Sequence, residues 1–250
     1  MSDKYDYFSQ ALNRTRSQGS LLTFLELDAP WSIDFETSPR GAPTHYIAEG
    51  DNVWFEMEGY EPKRLNSGDL VMLPQWHRHA LKSTKGTSCS QTIRELVAKN
   101  AGPIWQPGVV LETPFKLVQH GDGARTKILS FVLEIGSDAQ HSILSALPPL
   151  IHRTNADNEL VPLMRFVGDY LQQELEAARI GFASTSSRLA ELLFIQILRQ
   201  EVIEHPDRLQ GWLRGLVDPM LAPVLARMHS NPLQDWDVNR MANAAGFSRT

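Results

Sequence analysis

The stretch Leu65–Leu81, LNSGDLVMLPQWHRHAL, decides how this chain reads. It opens on turn material at Asn66–Asp69, runs through the apolar Leu70–Leu73 and closes at Pro74, the pattern of a short strand between turns. His77 and His79 follow at i and i+2. On an extended segment such residues point to the same side, so the two imidazoles could share a ligand. His45 lies on a separate strand-like run, THYIAEG at 44–50, and would meet them across the structure. His45, His77 and His79 are therefore candidate metal ligands, and a divalent metal such as zinc is the cofactor they would hold. The alternative is that these histidines only make hydrogen bonds at the mouth of a β-structure.

The same style of segment extends through residues 20–140. LLTFLEL (21–27), NVWFEMEG (52–59) and KILSFVLEIG (127–136) are short, rich in apolar, aromatic or branched residues, and separated by SPRGAP, EGD, NSGD and QHGDGAR. Many short strands with frequent turns favour a barrel or sandwich. SCSQTIRELVAKNAGPIWQPG (88–108) interrupts them and reads as a helical or irregular insertion. After Pro162 the period changes: Leu163, Phe166, Val167, Tyr170, Leu171 and Leu175 share one helical face, and SSRLAELLFIQILRQEVIEH (186–205) carries a broader one. Such helices either pack on the barrel or meet a second copy of the chain. PDRLQGWLRGLVDP (206–219) reads as a linker and MLAPVLARMHSNP (220–232) as a short helix. In the closing QDWDVNRMANAAGFSRT, Asp237 is an N-cap for a helix with Val238, Met241, Ala242 and Ala245 on one face. Gly246 ends it and Ser248 caps the next, the beginning of a helix-turn-helix.

At 250 residues, 42% hydrophobic and 21% charged, the composition is that of a soluble globular protein. No run approaches the roughly 18 apolar residues of a membrane span. The N-terminus has no apolar signal-peptide core, and Cys89 is the single cysteine; the expected location is cytoplasmic, with no membrane partner. Net charge is −5, with +1 on residues 206–250 (five Arg, four Asp) and −6 on the rest, so charge permits nucleic-acid binding in the tail without supporting it. GxSxG, GxxxxGK[ST] and GxGxxG signatures are all missing, and the reading names no catalytic residue: the protein is expected not to be an enzyme.

Gly68, Pro74 and His79 resemble the second cupin motif, G-x5-P-x-G-x2-H-x3-N, with Trp76 in place of the inner glycine and Ser83 in place of the final asparagine. The first cupin motif survives only as His45 five residues before Gly50. The resemblance implies a cupin barrel with a depleted metal site. His45, Phe55, Met57 and His79 share alternating, inward-facing positions and are the candidate effector-binding residues, with plain core packing as the alternative for Phe55 and Met57. Trp31, Trp54, Trp76 and Trp105 are aromatic candidates for a pocket or for the core.

Taken together, THYIAEGDNVWFEMEG, LNSGDLVMLPQWHRHAL, HGDGARTKILSFVLEIG, SALPPLIH and the segment from Gly211 to Thr250 resemble AraC-type transcription regulators with an N-terminal cupin domain. Many of that family carry Cys-Gly where this chain has Ser130-Phe131, so no role of that cysteine carries over. The resemblance implies a mainly β fold: a cupin-like sensor barrel at 1–160, a helical dimerisation or linker segment at 161–206 and the start of a DNA-binding domain at 207–250. The chain would then stop within the first helix-turn-helix, leaving Arg249 as the one DNA-contact candidate and no specific operator binding. The implied partners are DNA for the full-length protein, a small-molecule effector and a second copy of the chain. The competing reading is a metal-dependent cupin enzyme, an oxygenase or isomerase; a third is an interaction module without a ligand.

Overall fold

The computed structural model describes residues 17–37, 41–101, 116–135, 143–157, 159–177, 179–231 and 233–246. Among the described residues, eleven strands form two sheets. The six-stranded sheet contains β1 (Ser17–Asp28), β3 (Ala42–Glu49), β6 (Leu70–Met72), β9 (Lys116–Gln119), β10 (Arg125–Ile135) and β11 (Ile151–Arg153), in the order β11-β6-β3-β10-β1-β9. The five-stranded sheet contains β2 (Ser32–Phe35), β4 (Val53–Met57), β5 (Lys63–Leu65), β7 (His79–Lys82) and β8 (Gln91–Thr92), in the order β5-β4-β7-β2-β8. Pairing is antiparallel except for β1 with β9 and β2 with β8.

Strand alternation sorts the larger sheet into two faces. Leu25, Leu27, Ile47, Val71 and Ile128 turn inward, where they form one apolar core with Ile33, Phe55 and Leu81 of the smaller sheet. Tyr46, Leu70, Met72, Leu129 and Phe131 turn the other way into a second core built with helices. A sheet buried on both faces needs apolar residues at successive positions. β3 accordingly reads as buried from Ala42 through Ile47.

The helices are α1 (Ile93–Ala101), α2 (Val161–Glu176), α3 (Phe182–Glu204), α4 (Gly211–Val217), α5 (Ala222–Ser230) and α6 (Val238–Ala244). Helical residues outnumber strand residues among those described, so "mainly β" understates the helices. α3 lies on β1 and β10, and α2 on β3. The buried stripe of α2 is Val161, Met164, Val167, Leu171 and Glu174; Phe166 is 66% exposed, and Tyr170 lies at the surface beside it. The expected apolar face is thus rotated, with Phe166 and Tyr170 outside it. The expected linker at 206–219 contains α4, whose Leu213 is buried in the outer core. In α6, Asp237 caps the first turn by accepting from the Arg240 N–H at 2.7 Å, and no residue of that helix is buried. Gly246 has φ 76°, the left-handed conformation expected of it.

Candidate functional site

The cupin-like stretch folds so that its two histidines part. Gly68 has φ 91°, and a Cβ there would lie 2.5 Å from Asn155 Cγ, so a side chain has no room. Leu70–Met72 then form β6 inside the larger sheet. Trp76, where the motif has glycine, keeps a glycine-like backbone at φ 44°, held by its indole N–H donating to the Glu36 carbonyl at 2.8 Å. Residues 74–78 are therefore a turn, and extension resumes only at β7. His77 is exposed and within 3.4 Å of Gln75 Oε1, while His79 enters the interior. Arg78 is held on the rim by Asp34, with Nη2 to Oδ2 at 2.6 Å. Ser83, in the motif's asparagine position, ties β7 to the chain before β2: its Oγ accepts from the Trp31 N–H at 3.0 Å.

Inside, three strands bring their polar side chains together. His45 on β3 stands opposite Ser130 on β10 in the register of the larger sheet. His79 stands opposite Phe35 on β2 and Met57 on β4 in the smaller sheet. Across the space between the sheets, His45 Nε2 and His79 Nε2 are 2.8 Å apart. Ser130 Oγ lies 2.9 Å from His45 Nδ1, and His79 Nδ1 lies 2.9 Å from the His77 carbonyl oxygen.

These contacts fix the protons. A carbonyl only accepts, so His79 Nδ1 carries hydrogen and, in a neutral ring, its Nε2 accepts. His45 Nε2 must then donate, and its Nδ1 accepts from the Ser130 hydroxyl. The chain runs Ser130 to His45 to His79 to the His77 carbonyl, and it uses every ring nitrogen. Burial favours the neutral rings. It pushes His79 down to about 4, while burial and the neighbouring His79 hold His45 well below the ordinary imidazole value. Aromatic rings enclose the pair: Phe35 stacks on His79 at 4.8 Å and meets His45 at 4.6 Å, and Phe55 lies 5.7 Å from His79.

The four effector candidates, His45, Phe55, Met57 and His79, are thus all buried and adjacent in one interior cluster. The metal trio does not assemble, because the Trp76 turn sends His77 outward. Nor does the remaining pair suit a metal. Its two Nε2 atoms share a hydrogen bond, and tetrahedral nitrogens at 2.0–2.1 Å from zinc would stand farther apart, roughly 3.3 Å. Among the described residues no group of three or more His, Cys, Asp or Glu is placed to hold a metal ion. Cys89 is exposed and its thiol is pushed up by partial burial, the opposite of an activated thiolate. Arg249 and Trp105 lie outside the described residues.

Sequence reasoning missed Phe35 and Ser130. Phe35 sits on a four-residue strand too short to register as a pattern. Ser130 was visible only as a departure from Cys-Gly, although a hydroxyl in the apolar run KILSFVLEIG is itself a signal that a buried partner is needed.

A second polar cluster joins the helices to the sheet edge. Arg153 on β11, 4% exposed, donates from Nη2 to Glu201 Oε2 at 2.7 Å and from Nη1 to Glu204 Oε2 at 2.6 Å. Nη1 also lies 2.8 Å from His205 Nε2. Glu201 is 1% exposed, and burial raises its pKa against the pull of Arg153.

A cupin family profile matches residues 6–202. With two facing sheets and the Gly68–Pro74–His79 segment in place, the chain belongs to the cupin family. It is 34% identical over 211 residues to the helix-turn-helix-type transcriptional regulator AlkR of Acinetobacter baylyi, covering 82% of this chain and 64% of that protein. It is 24% identical over 245 residues to the regulator MtrA of Neisseria gonorrhoeae, covering 98% of this chain and 75% of MtrA. An AraC-like transcription regulator of Streptomyces lividans is 24% identical over 246 residues, with 98% of this chain and 75% of that protein covered. All three of these relatives are named as transcription regulators.

Proposed function

We propose that this chain senses a small molecule within a cytoplasmic DNA-binding transcription regulator and that it is not an enzyme. Residues 1–160 form the sensor barrel, 161–206 the dimerising helices and 207–250 the start of a DNA-binding domain. The observation that carries this reading is the neutral Ser130–His45–His79 chain inside an otherwise apolar interior. A core needs no such chain, since burying polar groups costs free energy unless each is satisfied. A small, mainly apolar effector with one hydrogen-bonding group would break the His45–His79 bond, take one of its partners and pack against Phe35, Phe55 and Met57.

The signal has a short route. His45 and Ser130 face inward, while their neighbours Tyr46, Leu129 and Phe131 pack beneath the helices. A shift of β3 or β10 on one face therefore moves the seat of α2 and α3 on the other, a coupling of the kind allostery requires. Phe166 stacks on Tyr170 at 6.4 Å on the outer side of α2, and Ile203 of α3 is 66% exposed. These side chains suit a second copy of the chain. No helix among the described residues is long and apolar enough to cross a membrane.

The metal-dependent enzyme is the weaker reading, because two hydrogen-bonded imidazoles supply neither three ligands nor an open coordination position. A thermal-shift panel of small alcohols, aldehydes and carboxylic acids tests the sensor. At least one class should raise the melting temperature of the wild-type chain by several degrees, and Phe55→Ala should abolish that shift. A panel without a saturable stabiliser contradicts effector binding.

A further inference from the structure

The second core is not filled. A cavity of about 220 Å³ lies between the helix-facing side of the larger sheet and α2, outside the space between the sheets. Its floor is Phe24 of β1, Tyr46 and Ala48 of β3 and Leu129 of β10; its roof is Met164 and Gly168 of α2. Gly168 leaves the space open. A Cβ added there would meet only Leu129 Cδ2, at 3.9 Å, so nothing in the packing demands glycine. The Tyr46 hydroxyl is buried without a well-formed hydrogen bond, and the Arg165 side chain is the group close enough to donate to it. A phenol left so is expensive, and such a group calls for an explanation.

The charges around the cavity select the ligand. Glu26 is paired with Lys116 at 2.7 Å and Glu49 with Lys127 at 2.8 Å, so the walls offer no spare charge. At the exposed mouth stand Arg165 and Asp169, one of each sign, one turn apart on α2. Both lie near enough to Tyr46 to act on its titration in opposite directions. A carboxylate placed beside Tyr46 would face Asp169, and an ammonium would face Arg165. A neutral hydroxyl meets all three groups: it accepts from Tyr46 or Arg165 and donates to Asp169. The volume lies between a cavity of 150 Å³ that holds benzene and the 300 Å³ or more of ordinary ligand pockets, which suits one ring with a short substituent.

We propose that this cavity is a second small-molecule site, distinct from the interior between the sheets, that takes an uncharged, hydroxyl-bearing molecule of single-ring size such as a simple phenol. Its occupant lies directly beneath the helix that carries Phe166 and Tyr170, so binding there acts on that surface without passing through the sheet.

The test uses the intact chain and 4-ethylphenol as probe, read by titration calorimetry and ligand-observed NMR, with ethylbenzene and 4-ethylbenzoate as comparators. Wild type should bind 4-ethylphenol with a dissociation constant near or below about 1 mM, and each comparator at least about tenfold more weakly. Gly168→Leu, which fills the cavity, should remove binding while keeping the wild-type circular dichroism and melting temperature. Tyr46→Phe should weaken binding about tenfold and bring 4-ethylphenol level with ethylbenzene, and it decides the matter if Gly168→Leu does not fold. No saturable binding to wild type, undiminished binding in folded Gly168→Leu, or unchanged preference in Tyr46→Phe overturns the proposal.

Discussion

The two faces of the six-stranded sheet differ by one residue of register and by their whole electrostatic character. On the inner face, the polar groups His45 and Ser130 join His79 in a neutral, closed chain with each ring nitrogen matched. On the outer face, beneath the helices, polar groups are ionic or loosely held: Arg153 clasps Glu201 and Glu204, while the Tyr46 hydroxyl has Arg165 within reach but no well-formed hydrogen bond. The neutral chain has no ionic partners and is vulnerable to protons. The ionic cluster is vulnerable to loss of a partner. One face is suited to registering chemistry and the other to transmitting position.

The largest effect should come from the ionic face. Arg153→Met leaves the nearly inaccessible Glu201 carboxylate without its cation, which should cost roughly 3–5 kcal/mol in urea denaturation. Arg153→Met with Glu201→Leu should recover much of that loss, because removing both charges removes the desolvation penalty. A single variant as stable as wild type would show that the cluster is not buried in solution.

The inner face should respond to acid. Free imidazole titrates near 6.5, whereas His79 in the fold is lowered to about 4. The folded state thus prefers the neutral ring, and its contribution is complete above pH 6.5. As pH falls from 6.5 toward 4, the unfolded chain takes up a proton that the folded chain refuses, and stability declines by about 3 kcal/mol. His45, also lowered by burial, acts in the same direction. Denaturation midpoints between pH 4 and 7.5 measure this, and the double variant His45→Leu/His79→Phe should show a shallower slope. An equal slope in that variant would place the acid sensitivity elsewhere.

Ser130→Ala should be milder, roughly 1–3 kcal/mol, since it strips one donor from a buried acceptor. A loss much below that range would mean that His45 Nδ1 finds another donor. The smallest stability effect belongs to the outer surface of α2. Phe166→Glu replaces a side chain that is 66% exposed, so it should change monomer stability by no more than about 0.5 kcal/mol. The same change should shift sedimentation from dimer to monomer; a wild-type sedimentation profile would remove Phe166 from the proposed interface.

Much of the fold was legible because its central strands are long and strongly patterned. Leu21–Leu27, Thr44–Glu49 and Lys127–Ile135 all fall inside β1, β3 and β10. The short strands β5, β8, β9 and β11 were not legible: with two to four residues each, they owe their extension to the neighbour they pair with. α4 was hidden by Gly211 and Gly215, which read as linker, and it is held by Leu213 in the outer core. On α2 two adjacent apolar stripes shared Val167 and Leu171, and only packing against the sheet selects Met164 over Phe166 and Tyr170. The cupin-like spacing singled out His45 and His79, whose rings meet in the interior. His77 was misplaced because alternation assumes an extended chain, and a left-handed tryptophan has no signature in sequence.

The central claim is that His45 and His79 form a neutral hydrogen-bonded pair rather than two ligands of a metal. Long-range proton–nitrogen NMR on the imidazole rings tests it most directly, at pH 7 before and after one equivalent of zinc. The expected spectrum shows His79 protonated on Nδ1 and His45 on Nε2, both neutral and both unchanged by zinc. Nε2 signals of both rings that move together to metal-bound values would contradict the account and restore the metal centre.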